Sequence, residues 1–182
     1  LRSVDDRRLS TPPLPAAGMK AQQRESVRSL FGHNVTVHIR ADVMTQRLQI
    51  CETLPLPIDV AFARLADHQR LGAALGVPVK RTRDGEGDVN GLGSVRTIGF
   101  RPLEVDETIT RFDPPSRIDY RISRGSPLRD HRASIIFSAN GNATEVTWNI
   151  EFDTTPRLLG PVVNRALGLG LRHALRKIGR SA

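Results

Sequence analysis

The feature that most restricts this fold is a run of alternating segments from Gly93 to Phe152, followed by an abrupt change of period. Residues 93–99, 103–112, 117–124, 131–138 and 144–152 read as successive strands, and 117–124 and 144–152 place apolar side chains at every second position, the signature of one buried face. The connections Asp113-Pro114-Pro115 and Ala139-Asn140-Gly141-Asn142 are too short for a crossover and predict antiparallel pairing. From about residue 156 to 179, Leu159, Val163, Leu167, Leu171, Ala174 and Ile178 recur at spacings of three and four, which predicts one long amphipathic helix. A sheet of this length cannot cover its own apolar face, and that helix carries the stripe to close it.

The segment before the sheet completes the order. Residues 47–53 form a candidate first strand, with Leu48, Ile50 and Glu52 facing one way and Gln49 and Cys51 the other. Pro55 and Pro57 end it, and Pro57-Ile58-Asp59-Val60 opens a short helix whose apolar face takes Val60, Ala61, Phe62 and Leu65. Asp67 is placed to cap a second short helix over 67–75, ended by Gly76 and Pro78. A strand over 79–83 and a turn-rich run over 84–91 follow. The expected class is α+β: a curved antiparallel sheet of about seven strands around a long C-terminal helix, with two short helices after the first strand. Such an arrangement leaves room for a cavity between sheet and helix.

Residues 1–44 read differently. Thr11-Pro12-Pro13-Leu14-Pro15 favours extended, unpacked backbone, 22–29 is polar, and only Val35, Val37 and Ile39 alternate like a strand. We expect 1–44 to be a mobile extension and 45–182 to be the folded domain, starting near Met44.

Charge adds less than it first suggests. The chain of 182 residues carries a formal net charge of +8, a balance that points toward polyanions. Residues 45–150, however, hold 14 basic against 13 acidic residues, the pattern of a mixed solvated surface. Much of the excess lies at the C-terminus, where Arg165, Arg172, Arg176 and Arg180 fall on one strip of the predicted helix. Contact of that strip with an anionic membrane is a candidate role. Nucleic acid is disfavoured, because one Trp and one Tyr provide no stacking platform.

Cys51 is the only cysteine, so no intramolecular disulfide forms, and no apolar run approaches the roughly 18 residues of a membrane span. A cytoplasmic protein is the expectation. The glycines at 85, 87, 91 and 93 match no phosphate-binding loop, and the five histidines have no metal-site spacing. No metal or cofactor is expected. Ser126, Asp130 and His131 could be drawn as a triad, but no nucleophile elbow supports it and loop solvation is the better reading.

A family resemblance rests on several stretches in order. Leu54-Pro55-Leu56-Pro57-Ile58-Asp59-Val60-Ala61-Phe62 and Leu65-Ala66-Asp67-His68 resemble the opening of START-like (SRPBCC) ligand-binding proteins, which include polyketide cyclase/dehydrase and lipid-transport members. Leu92-Gly93-Ser94-Val95-Arg96, the run from Glu107 to Pro115 and Arg117-Ile118-Asp119-Tyr120 are similar to the middle strands of that superfamily. Thr144-Glu145-Val146-Thr147-Trp148 is similar to its last strand. The resemblance covers roughly residues 46–180 and implies a helix-grip fold with an internal cavity for a small apolar or amphipathic molecule. It carries over no universal catalytic motif.

Period 2 also places polar groups on apolar faces. Glu107 lies with Val105 and Ile109, Arg96 with Ile98, Tyr120 with Ile118 and Ile122, His131 with Ala133 and Ile135, and Trp148 with Val146 and Ile150. If these faces line one cavity, Arg96, Glu107, Tyr120, His131 and Trp148 are its polar fixtures, with Glu107 and Arg96 as a pair. The alternatives are a structural ion pair at a sheet edge and plain core packing of Tyr120 and Trp148. The leading function is binding, or transport, of a small hydrophobic or amphipathic molecule. The alternative is a cyclase or dehydrase in which Glu107 or His131 supplies acid/base chemistry.

Overall fold

The structure, a computed structural model, describes residues 45–102, 104–126 and 128–180. The extension expected over 1–44 lies outside them. The elements run β1 (Gln46–Leu54), α1 (Ile58–Ala66), α2 (His68–Leu75), β2 (Val79–Arg83), β3 (Val95–Ile98), β4 (Val105–Asp113), β5 (Arg117–Arg124), β6 (Leu128–Asn140), β7 (Ala143–Thr154), a 3-10 turn (Arg157–Leu159) and α3 (Gly160–Arg180). All seven strands join one antiparallel sheet in the order β1-β7-β6-β5-β4-β3-β2. The helix-grip class read from the sequence is the class observed.

Local signals act where expected. The Asp67 carboxylate accepts from the amides of Gln69 and Arg70 at 3.0 Å each, and Gly76 ends α2 in the left-handed conformation (φ 72°). Some details differ from the sequence reading. Val60 is 38% exposed, because α1 buries Ala61, Phe62, Leu65 and Ala66, a face centred one residue further on. Leu159 is 45% exposed and belongs to the 3-10 turn. The helix itself begins at Gly160, where a Cβ would stand 2.9 Å from Cδ of Gln46, so close approach to β1 fixes the entry point. Finally, β6 starts at Leu128, so the 126–131 run is largely strand rather than a solvated loop.

The sheet curves around two different interiors. At one end Phe62 packs against Phe112 and Phe137 with ring centroids 5.2 and 5.1 Å apart. Leu54, Leu65, Val146, Leu175 and Ile178 complete this filled half. The other end, bounded by the connections after β3, β5 and β7, is hollow.

Candidate functional site

The hollow end is a cavity of about 470 Å³ between the concave sheet face, α2 and the first half of α3. Its depth is graded. Arg96, Tyr120, Trp148, Ile150, Leu71 and Leu171 are buried at the floor, whereas Val77, Ile98, Val105, Ile122, Leu128 and Val163 are half-buried nearer the rim. The polar side chains cluster on the sheet wall of this apolar funnel, with Arg96 and Tyr120 buried and Glu107 and His131 half-buried beside Ile122.

The floor is built from neighbouring strands. Arg96 and Glu107 are direct cross-strand partners on β3 and β4. The guanidinium reaches Oε2 of Glu107 from Nε at 2.8 Å and from Nη2 at 2.6 Å, with the two side chains 4% and 12% exposed. Burial of an unpaired charge at this site would be costly, so each ion stabilises the other. The Arg96 guanidinium also lies 5.0 Å from the centroid of the Tyr120 ring, a cation–π contact. Trp148 Nε1–H donates to the Tyr120 hydroxyl at 3.0 Å. The hydroxyl spends a lone pair there and keeps its own proton for another acceptor. Burial, reinforced by the nearby Glu107 charge, pushes Tyr120 far above the ordinary phenol range, so it stays protonated.

His131 enters through an irregularity. Pairing of β5 with β6 extends from Arg117↔Ile136 only to Tyr120↔Ala133. Beyond it, β6 shifts register against β7 between Arg129 and Arg132, with Asp130 at φ 50°. The Ile122 amide donates instead to Nδ1 of His131 at 3.3 Å, so an imidazole stands where a strand carbonyl would be. Its ring lies 5.7 Å from that of Tyr120. Burial lowers the His131 pKa, partly opposed by Glu107, and the neutral ring carries its remaining proton on Nε2. The Ser126-Asp130-His131 triad does not form: the Ser126 hydroxyl accepts from the Leu128 amide at 2.9 Å and His131 is committed to Ile122.

All five sequence-derived candidates thus line one cavity. Tyr120 and Trp148 are simultaneously core residues, 4% and 1% exposed, so the two readings of them coincide. The Arg96–Glu107 pair is not at an edge, since β2 flanks β3 on the outside. The period of the strands does not reveal the walls contributed by α2 and α3. Among these, Gly170 lines the cavity, and apart from its own turn of helix no atom of the described residues lies within 4 Å of where its Cβ would be. His68 is a further buried group that strand parity does not pick out. It is 1% exposed, neither ring nitrogen has a hydrogen-bond partner among the described residues, and burial followed by the charges of Arg96 and Arg81 lowers its pKa to about 3. Its spacing from Leu71 and Leu75 (i, i+3, i+7) is the signal that places it on the inner face of α2.

The basic strip is less uniform than expected. Arg165, Arg172, Arg176 and Arg180 are all exposed, but Arg176 donates to Glu52 at 3.0 Å. Among the described residues no group of three His, Cys, Asp or Glu side chains is arranged to hold a metal, and no helix is long and apolar enough to cross a membrane.

A curved sheet gripping one long helix around an apolar funnel defines a helix-grip fold suited to hydrophobic ligands. The sequence profile of the family described as "Polyketide cyclase / dehydrase and lipid transport" matches residues 45–182, and the chain belongs to that family. No curated protein sequence matches the chain closely enough to count as a relative. Solved structures share the fold. Ara h 8.0201 matches with 16% identity and a TM-score of 0.58, covering 74% of this chain and 95% of that one. Truncated norcoclaurine synthase from Thalictrum flavum matches with 13% identity and a TM-score of 0.59, covering 76% and 96%. A protein of Thermus thermophilus matches with 15% identity and a TM-score of 0.59, covering 74% and 94%.

Proposed function

We propose that the domain binds a small hydrophobic or amphipathic molecule in the funnel, apolar body toward the rim and polar end at the floor. The observation that carries this reading is a mostly apolar cavity in which Arg96, Glu107, Tyr120 and His131 form one polar cluster. Pockets for small molecules combine mostly apolar lining with a few orienting polar groups. The floor also defines the polar end. Arg96 and Glu107 cancel, and His131 is neutral, so a charged ligand group would find no unpaired counter-ion. The Tyr120 hydroxyl and the His131 Nε2–H remain as donors, which suits an uncharged carbonyl or hydroxyl oxygen. Binding is better supported than cyclase or dehydrase chemistry. The Glu107 carboxylate is engaged by Arg96 and His131 spends Nδ1 on a backbone amide, so neither is a free general base.

Trp148 is the only tryptophan of the chain and sits on the floor, so its fluorescence reports occupancy directly. Titration of the full chain with the neutral dye Nile red is expected to give saturable energy transfer from Trp148 at one site. Leu167→Phe with Gly170→Leu, which fills the funnel, is expected to abolish it. Unsaturable binding, or binding untouched by the filled variant, would reject the cavity as the site. Glu107→Gln, which removes one charge of the floor pair, is expected to weaken the dye roughly tenfold if the floor orients it; unchanged affinity would remove Glu107 from the site.

A further inference from the structure

We propose that the end of the molecule where the cavity emerges docks on an anionic phospholipid bilayer, with Leu158, Val162 and Leu169 inserted and Arg165 and Arg172 among the headgroups. The inference starts from where exposed apolar side chains fall. Leu158 is 89% exposed, Val162 66% and Leu169 61%, on the 3-10 turn and the first half of α3. Phe100, 66% exposed, belongs to the connection between β3 and β4. Strands alternate in direction across the antiparallel sheet, so the connections after β3, β5 and β7 share one end, and that end holds the half-buried rim of the cavity. The exposed apolar groups of α3 therefore adjoin the mouth. Ala166 makes the continuity explicit, since it lines both the cavity and a surface depression shared by Val162, Arg165 and Leu169.

Charge selects the partner. Val162, Arg165, Leu169 and Arg172 follow one another at spacings of three and four, which puts apolar and cationic groups on the same outward face. Among the described residues neither Arg165 nor Arg172 has an ion-pair partner, and α3 itself contains no acidic residue. A helix face that is apolar and cationic together, on an element that carries no acid, fits a bilayer that offers acyl chains beneath anionic headgroups. A second copy meeting this face about a two-fold axis would set the arginines against their own counterparts with no carboxylate between them. Duplex nucleic acid would satisfy the arginines and leave Leu158, Val162 and Leu169 in water.

Flotation of the full chain with vesicles tests the proposal. Association is expected with phosphatidylcholine vesicles containing roughly one-third phosphatidylserine, and not with phosphatidylcholine alone. Raising salt from about 0.1 to about 0.5 M is expected to weaken it roughly tenfold. Leu158→Ser with Val162→Ser and Leu169→Ser leaves the charge unchanged and is expected to lose at least roughly tenfold. Arg165→Gln with Arg172→Gln is expected to lose roughly fivefold per arginine. These side chains are exposed, and an unchanged thermal transition with unchanged Trp148 emission confirms that the variants fold. Any of three results overturns the proposal: equal association with phosphatidylcholine, full retention in the serine variant, or a wild-type dimer that the serine variant dissociates. Equally tight capture of duplex DNA by the wild type and the serine variant would also overturn it, by identifying a generic polyanion surface. The reading is independent of cavity occupancy, because the filled Leu167→Phe/Gly170→Leu variant is expected to float like the wild type.

Discussion

The two halves of the sheet are built from the same alternating strands yet enclose different interiors. In the half around Phe62, Phe112 and Phe137, inward positions meet other apolar side chains, and the space is filled. In the half around Arg96, Glu107, Tyr120 and Trp148, the inward positions face about 470 Å³ of open volume. The difference arises from what covers the sheet. Phe62 of α1 reaches into one half with a full aromatic ring. The other half is covered by Val163, Ala166, Leu167 and Gly170 of α3, and two of these four carry a single methyl group or no side chain at all. Close packing is thus concentrated at one end and open volume at the other.

The sharpest way to break this contrast is to delete volume at both ends. Phe137→Ala is expected to cost about 3–5 kcal/mol in denaturant unfolding, because it opens a void in close-packed surroundings. Leu167→Ala at the rim is expected to cost only on the order of 1 kcal/mol, since the space beside it already exists. Equal costs would mean that the hollow end is as tightly packed as the other.

The floor pair comes next. Arg96→Met alone is expected to destabilise by about 3–5 kcal/mol by leaving Glu107 buried without a counter-ion, and adding Glu107→Leu is expected to recover most of that loss. If the single and double variants unfold alike, the pair contributes through packing rather than charge.

A smaller effect concerns pH. Because the His68 pKa falls from 6.5 to about 3 on folding, the unfolded chain binds the additional proton in between. Stability is full above pH 6.5 and declines as pH falls toward 3, with a slope of about 1.4 kcal/mol per pH unit from this group. The lowered pKa of His131 acts in the same direction. His68→Leu is expected to flatten the decline measured by urea unfolding across this range; an unchanged slope would assign the acid sensitivity elsewhere. The smallest expected change is a gain: Gly170→Ala adds a methyl group that meets no other element of the described residues within 4 Å and is expected to stabilise α3 by about 0.5–1 kcal/mol, read as a raised urea midpoint.

Strand periodicity makes much of this architecture legible, since parity groups Glu107, Tyr120, His131 and Trp148 with apolar residues of their own strands, whereas Arg96 lies between Val95 and Ile98, which differ in parity from each other. What it does not reveal depends on contacts distant in sequence. The outward turn of Val60 follows from where α1 meets the sheet, and the displacement of Leu159 follows from Gly160 pressing on Gln46. The pairing of Arg176 requires Glu52, 124 residues away. The isolated nitrogens of His68 are equally invisible in a pattern that records only polarity and spacing.

The imidazole that replaces a strand carbonyl at Ile122 has a consequence for solvent exchange. Ordinary ladder amides are protected by acceptors that do not titrate, but the Ile122 amide is protected by a group that does. Protonation of His131 removes its acceptor and leaves neighbouring ladder bonds intact. The protection factor of this one amide, followed relative to Tyr120 and Ile118 on the same strand, therefore records the charge state of a cavity histidine as an isotope-exchange rate.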